Sequence, residues 1–95
     1  MKQPCVYIIT NIRHTTLYIG VTSNLPQRIY QHKHKMIKGF SAKYNLTKLV
    51  YYERFEDMTN AIIREKRMKE WHRCWKERLI SKLNPYWQDL YQAII

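Results

Sequence analysis

Two short segments near the start of the chain, residues 4–11 and 16–22, constrain the fold most strongly. Both are rich in valine, isoleucine, threonine and tyrosine, which is typical of β-strands, and the short connection between them predicts a hairpin. Each strand carries one tyrosine, Tyr7 in the first and Tyr18 in the second. If the hairpin is centred on residues 12–13, Tyr7 lies opposite Tyr18, and we expect both phenol groups on one face of the sheet.

A helix is predicted directly after the second strand. Ser23 or Asn24 can cap its N-terminus, and Pro26 is tolerated in its first turn. We expect the helix to run to about Ile37, with Gly39 as its C-terminal stop.

The rest of the chain predicts one more strand and several helical segments. In chain order we expect a helical turn capped by Ser41 and ending at Tyr44, a strand at 46–55, a helix from Asp57 or Thr59 to about Arg73, a helix at about 75–83 ended by Asn84-Pro85, and a last turn at the C-terminus. This β-β-α-β-α-α order predicts an α+β fold, with a small, mainly antiparallel three-stranded sheet flanked by helices. We expect residues 1–95 to form a single domain, because 95 residues suit one core and we see no repeat or linker.

The charge of the chain is strongly positive and unevenly distributed. The formal net charge is +10, and no acidic residue precedes Glu53, whereas eight lysines and arginines do. Uncompensated positive charge attracts polyanions, so we expect nucleic acid as the partner. Any carboxylate ligand for a metal must come from the second half of the sequence.

Location is inferred from the cysteines and the hydropathy pattern. The two cysteines, Cys5 and Cys74, are too few for a disulfide framework and lack the spacing of a zinc site. No apolar run approaches the length of a membrane span, and we expect neither a membrane partner nor a secretory leader. A cytoplasmic protein with reduced thiols is the simplest interpretation.

The first predicted helix carries polar side chains beside its apolar stripe. Leu25, Ile29 and Met36 form the stripe, and Arg28 and His32 lie next to it, one turn apart. A guanidinium and an imidazole close to two phenols suit the chemistry of a phosphate group.

These features together resemble the GIY-YIG nuclease family, in particular its small stand-alone bacterial members. Tyr18-Ile19-Gly20 matches the second half of the signature, and Cys5-Val6-Tyr7 stands where the family has Gly-Ile-Tyr. The position of Arg28 after the motif also fits, as does Glu65 on a predicted helix. The resemblance spans roughly residues 4 to 85 and implies the same α+β fold.

The resemblance implies a role for each member of the predicted catalytic set, Tyr7, Tyr18, Arg28, His32 and Glu65. Tyr7 would be the general base that deprotonates an attacking water, and Tyr18 would position water or phosphate. Arg28 would hold the scissile phosphate. His32 would lie near the nucleophile or the phosphate.

Glu65 would be the metal ligand in this resemblance. A single divalent ion, Mg²⁺ or Mn²⁺, can be held by one carboxylate together with substrate phosphate oxygens and waters. The ordinary alternative is a surface ion pair, because Lys69 follows at the spacing of one helical turn.

Four further residues are candidate nucleic-acid contacts. They are Lys33, Lys35, Lys43 and Asn84. Asn84 also has a structural explanation, since an Asn-Pro pair ends a helix.

We therefore predict a metal-dependent endonuclease that hydrolyses DNA phosphodiester bonds, with repair or recombination intermediates as substrates by resemblance. It would act as a monomer or weak dimer, and a partner protein could supply specificity. The first alternative is a nucleic-acid-binding module with a degenerate, non-catalytic site. A basic adaptor that docks an acidic protein is a weaker alternative.

Overall fold

The computed structural model describes residues 3–95 and has the predicted α+β architecture. Three strands and five helices follow one another along the chain: β1 (Cys5–Thr10), β2 (Leu17–Thr22), α1 (Leu25–Lys33), α2 (Phe40–Lys43), β3 (Lys48–Arg54), α3 (Met58–Lys69), α4 (Arg73–Leu83) and α5 (Tyr91–Ile94). The sheet has the order β2-β1-β3, and β1 is antiparallel to both neighbours. The predicted fold class is confirmed.

Strand β1 occupies the centre of the sheet because its residues are apolar on both faces. All six are buried, and their side chains alternate between two cores. Val6 and Ile8 face α3 and α4, whereas Tyr7 and Ile9 face α1. Helices therefore cover both faces of the sheet.

A bulge in β3 brings two consecutive residues into one core. Ile8 pairs with Tyr51 and Ile9 with Leu49, which leaves Val50 as an extra residue between them. Val50 and Tyr51 consequently both face the core formed with α3 and α4.

The predicted register of the hairpin is wrong by two residues. Tyr7 lies opposite Gly20, and Tyr18 lies opposite Ile9. The connecting loop is longer than expected because the Asn11 side-chain oxygen accepts hydrogen bonds from the backbone N–H groups of Thr15 (2.9 Å) and Thr16 (3.2 Å), which organises residues 11–16 as the turn. Since the shift is even, the two tyrosines still share one face of the sheet.

Helix α1 ends at Lys33, four residues before the predicted end at Ile37. Lys35 takes a left-handed conformation (φ 54°), and the N–H groups of Lys35 and Met36 bond back to the carbonyls of His32 and Gln31, as in a Schellman motif. Met36 is therefore 63% exposed and is not part of the apolar stripe. His32 is buried in its place, beside Leu25 and Ile29.

Other predicted boundaries are also corrected. Gly39 does not stop α1 but is the N-cap of α2, so Ser41 lies inside that helix rather than capping it. Helix α3 ends at Lys69 instead of Arg73, and Arg73 begins α4. The N-cap of α3 is Asp57, one of the two predicted residues, whose side chain accepts a hydrogen bond from the N–H of Asn60.

Within residues 3–95, no helix combines the length and the apolar composition that crossing a membrane requires.

Candidate active site

The side chain of Tyr7 lies directly across Gly20 of the neighbouring strand. A Cβ atom built on Gly20 would come within 2.4 Å of both Cζ and the hydroxyl oxygen of Tyr7. A side chain at this position would therefore collide with the phenol. Since β2 is an edge strand, the glycine lets the Tyr7 ring reach toward the edge of the sheet.

The Tyr7 hydroxyl begins a chain of three hydrogen-bonded side chains. Its oxygen is 2.8 Å from Nε2 of His32, and Nδ1 of His32 is 3.0 Å from Oγ of Ser41. All three residues are buried. Helix α1 supplies His32 from its apolar stripe, and α2 supplies Ser41 from the other side of the ring. Each polar atom of the imidazole thus has a partner.

The surroundings keep both the phenol and the imidazole uncharged. Burial raises the pKa of Tyr7 to about 12; Tyr18 and Glu65 also raise it, and the positive charge of Arg28 opposes them. Burial, assisted by Arg28, lowers the pKa of His32 to about 4. At neutral pH the imidazole is therefore a neutral ring with one donor nitrogen and one acceptor nitrogen.

Tyr18 lies close to the same group but is only half buried. Its ring centroid is 6.4 Å from that of Tyr7 and 6.0 Å from that of His32. On its outer side it stacks against Phe40 at 6.3 Å, and the ammonium of Lys69 lies 5.8 Å from its ring centroid. Tyr18 therefore lies next to both the buried Tyr7 and the exposed Phe40.

Arg28 and Glu65 reach the Tyr7 phenol from different helices. Both are near enough for their charges to change its pKa, in opposite directions. The Glu65 side chain is only 12% exposed, and its carboxylate pairs with Lys69 at 2.7 Å. The ion pair with Lys69, which the helical spacing suggested as the ordinary role of Glu65, is thus present beside the phenol.

A metal at this site would depend on Glu65 alone. Among the described residues, no group of three or more histidine, cysteine and acidic side chains is arranged to hold an ion. One carboxylate is a sufficient protein ligand when phosphate oxygens and waters complete the shell of Mg²⁺. Lys69, the ion-pair partner of Glu65, is 48% exposed, so it can swing away from the carboxylate.

Two of the predicted nucleic-acid contacts are engaged within the protein. Lys33 pairs with Asp89 and donates to the carbonyl of Thr47 at 2.9 Å. Asn84 is buried at the end of α4, where its amide donates to the carbonyls of Val50 (3.1 Å) and Gln88 (2.8 Å). These bonds give both side chains a structural role, and DNA contact by either stays a prediction.

The other two predicted contacts, Lys35 and Lys43, are exposed. Lys35 follows α1, and Lys43 ends α2 with its ammonium 5.4 Å from the ring centroid of Tyr44. They lie on the segment that carries Ser41, the residue bonded to His32.

Sequence reasoning missed the contribution of two residues. Ser41 was expected to cap a helix, and its signal was slight, because a serine between two helical segments has many ordinary uses. Lys69 was considered only as an ion-pair partner of Glu65, although it also lies over the Tyr18 ring. Helical spacing predicts the first contact but not the second.

Comparison with known sequences gives one family and several relatives. A sequence model of the GIY-YIG catalytic domain matches residues 3–78. A UPF0213 protein of Clostridium perfringens is 40% identical over 80 residues, which cover 80% of this chain and 81% of the relative. A UPF0213 protein of Natronomonas pharaonis is 35% identical over 80 residues, which cover 80% and 88%.

Comparison with solved structures identifies a similar fold. The solution NMR structure of a UPF0213 protein from Bacillus halodurans superposes with a TM-score of 0.57 and 24% sequence identity. The match covers 94% of this chain and 93% of the other. At this identity the similarity concerns the fold.

Proposed function

The chain belongs to the GIY-YIG catalytic domain family, and from this membership we propose that it is a metal-dependent endonuclease hydrolysing DNA phosphodiester bonds. One observation carries the proposal. A buried phenol, that of Tyr7, is hydrogen-bonded to a neutral imidazole in a site that an arginine and a carboxylate also reach. This combination supplies a path for a proton, a cation for phosphate and a ligand for a metal.

The hydrogen bond from Tyr7 to His32 supports a role in proton transfer. With its proton on Nδ1 and donated to Ser41, His32 has a free lone pair on Nε2 that accepts the Tyr7 hydroxyl. In the proposed step a water oxygen bonds to phosphorus and gives one proton to the Tyr7 oxygen. The Tyr7 proton moves to Nε2 of His32.

The second half of this step breaks the phosphodiester. The bond from phosphorus to the 3′ oxygen opens, that oxygen takes a proton from water, and a 5′ phosphate and a 3′ hydroxyl result. His32 carries the positive charge until it loses its extra proton to solvent, and Ser41 stays bonded to Nδ1 throughout. Ser41 is therefore a positioning residue, which fixes the tautomer.

Positive charge at the site supports phosphate binding. Arg28 is close enough to Tyr7 to affect its pKa, so a phosphate held by its guanidinium would lie near the phenol. Lys69 is a second cation of the same site. Their charges would stabilise the additional negative charge that phosphorus carries as water attacks.

Glu65 is the residue that would hold the divalent ion, with Mg²⁺ or Mn²⁺ as the proposed species. Bound there, the ion would supply Lewis-acid stabilisation to the leaving oxygen. Release of Lys69 from Glu65 would place a second cation beside the phosphate.

We also propose the cellular setting from the composition. Both cysteines are free, Cys5 buried and Cys74 exposed, which is compatible with a reducing cytoplasm. Branched or otherwise unusual DNA from repair or recombination is the proposed substrate. A monomer or weak dimer would act, with a partner protein as a source of specificity.

A second candidate function is nucleic-acid binding without hydrolysis. The observation in its favour is that Tyr7 is fully buried with a raised pKa, while Glu65 is already paired with Lys69. A site that never opens would bind phosphate through Arg28 and the surface lysines and would not cut.

Cleavage of labelled linear, single-stranded and branched DNA tests the two candidates directly. The nuclease proposal predicts cutting with Mg²⁺ or Mn²⁺, no cutting with chelator, and a loss of at least about 100-fold in Glu65→Gln, because a bound metal contributes several kcal/mol of transition-state stabilisation. Binding of the same DNAs by Glu65→Gln should be retained.

Glu70→Gln is the matched control, because Glu70 lies at the exposed end of the same helix. It should cut like the wild type. If the wild type binds every DNA and cuts none with either metal, the nuclease proposal is wrong and the binding module replaces it.

A further inference from the structure

Three aromatic rings form a continuous row from the candidate active site to the surface. The Tyr18 ring stacks on Phe40 with a centroid distance of 6.3 Å and an interplanar angle of 29°, and Phe40 lies 4.7 Å from Tyr44. Phe40 is 49% exposed and Tyr44 42% exposed. We call Tyr18, Phe40 and Tyr44 the aromatic row.

The local backbone holds the outer two rings toward solvent. Gly39, the N-cap of α2 directly before Phe40, has φ 118°, a backbone conformation that residues with side chains rarely adopt. Ser41 is the buried residue of this short helix and is bonded to His32. Phe40 and Tyr44 are four residues apart and share a face of the turn. The same helix therefore positions the imidazole and presents the two rings.

Lysines accompany the row, and acidic residues do not. Lys35, Lys38 and Lys43 lie on the segment around α2, and within the described residues none of them is within ion-pair distance of a carboxylate. The Lys43 ammonium is 5.4 Å from the Tyr44 ring centroid. The first acidic residue of the chain is Glu53. Charge complementarity therefore favours a polyanion on this surface.

A second aromatic surface, formed by Trp71 and Trp75, differs in its position and its contacts. Trp71 packs against the core on the α3 and α4 side of the sheet, is covered by the Arg64 guanidinium 4.9 Å from its ring centroid, and contacts Trp75 edge-on. It is not continuous with the Tyr7 hydroxyl. The aromatic row is, because Tyr18 touches both Tyr7 and Phe40.

We propose that Phe40 and Tyr44 bind unpaired bases, and that Lys38 and Lys43 hold the backbone of the same strand as it enters the site at Tyr7. The inference rests on the proposed nuclease function and names its substrate class. Exposed rings next to cations are the arrangement that binds single-stranded nucleic acid, since any base can stack on them. Bases in a duplex are stacked on one another and gain little from such rings. The preferred substrate is therefore a strand with unpaired nucleotides beside the cleaved phosphate.

Binding measured without metal tests this surface independently of cleavage. The probes are a fluorescein-labelled 15-mer oligothymidine and a labelled blunt 15-base-pair duplex. Binding of each is measured by fluorescence anisotropy in the presence of chelator. Phe40→Ala and Tyr44→Ala should each weaken single-strand binding on the order of tenfold. Neither should change duplex binding more than about twofold.

Control variants test whether the effect is specific to the aromatic row or common to any exposed aromatic side chain. Tyr86 is 83% exposed and lies outside the row, so Tyr86→Ala should bind the single strand like the wild type, and Trp75→Ala should as well. Phe40→Leu keeps an apolar side chain of similar size and removes the ring, so it should show the loss even if Phe40→Ala is poorly folded. Thermal unfolding of each variant checks the fold.

Salt dependence distinguishes the rings from the lysines. Removing one phosphate contact lowers the slope of log affinity against log salt by about 0.7 for a single strand. Lys43→Ala should show this decrease, whereas Phe40→Ala should lose affinity with the slope unchanged.

Two results would overturn the inference. One is wild-type single-strand affinity in Phe40→Ala, Phe40→Leu and Tyr44→Ala, and the other is an equal loss on duplex and single strand. Failure of the proposed function would look different. In that case the wild type cuts no DNA with either metal, while the ring variants still lose single-strand affinity.

Discussion

Two buried tyrosines on neighbouring strands, Tyr7 and Tyr51, have different hydrogen-bond partners. Tyr7 faces α1, and its hydroxyl bonds to the neutral imidazole of His32. Tyr51 faces the opposite core, and its hydroxyl donates to the carboxylate of Glu53, which Arg64 holds through two hydrogen bonds of 3.0 and 2.9 Å. Both phenols have a raised pKa, chiefly through burial.

The difference lies in what each phenol can do with its proton. At Tyr51 the charges are mutually compensated: burial raises the pKa of Glu53, but hydrogen bonds from Arg64 and Tyr51 outweigh it and leave the pKa below its usual range. The carboxylate thus accepts a hydrogen bond without taking the proton. At Tyr7 the partner is a neutral imidazole, the proposed proton acceptor, and Arg28 makes no ion pair with any described carboxylate. The ion pair of Arg64 with Glu53 stabilises the fold. The guanidinium of Arg28 has no carboxylate partner among the described residues, so it can bind a phosphate.

Replacing each tyrosine by phenylalanine should give the largest difference between the two sites. Tyr7→Phe should lower the cleavage rate by about 10²- to 10⁴-fold, the range for loss of a general base, because it removes the oxygen that accepts the water proton in the proposed step. Tyr51→Phe should cut within about twofold of the wild type and lose about 0.5 to 1.5 kcal/mol of unfolding free energy, the value of one hydrogen bond. Initial cleavage rates and urea unfolding measure the two effects. Equal losses of cleavage in both variants would contradict the division of roles.

Removing the two arginines should separate binding of phosphate from stability. Arg28→Met should lower cleavage by about 10²- to 10³-fold, as loss of one charge-stabilising donor does, with little change in unfolding free energy. Arg64→Met leaves the half-buried Glu53 without its cation and should cost about 1 to 3 kcal/mol, discounted for partial exposure of the pair, while cleavage per folded molecule is unchanged. Cleavage assays and urea unfolding on both variants provide the test. If Arg64→Met is inactive although folded, the assignment of Arg64 to stability alone is wrong.

The sequence was sufficient for the parts of this comparison that depend on local pattern. The strands followed from runs of β-branched and aromatic residues, and the Glu65–Lys69 pair followed from helical spacing. The shared face of Tyr7 and Tyr18 was predicted correctly although the register was not, because an error of two residues preserves the face.

The parts that failed depend on side chains and left-handed residues that composition does not specify. Asn11 organises a longer turn than the pattern suggested, and Lys35, rather than Gly39, takes the left-handed position that ends α1. Because α1 ends early, α2 can pack beside His32, and Ser41 becomes the hydrogen-bond partner of the imidazole. Such a contact between separate elements requires the three-dimensional arrangement, and so does the stacking of Phe40 on Tyr18.

The last expected effect concerns acid stability, which the buried His32 should influence. Because the folded pKa of His32 is about 4, below the usual 6.5, the unfolded chain binds a proton first as pH falls, and stability is lost between about pH 6.5 and 4. We expect His32 to account for about 1 to 3 kcal/mol of that loss. In urea unfolding from pH 7 to 4.5, His32→Asn should lose less stability than the wild type. Ring ¹⁵N resonances of the folded protein should place the His32 proton on Nδ1 and show that the ring is still mostly neutral at the acid end of this titration. A His32 that titrates near 6.5, or carries its proton on Nε2 at neutral pH, would rule out the proton path from Tyr7 and leave that tyrosine no different in kind from Tyr51.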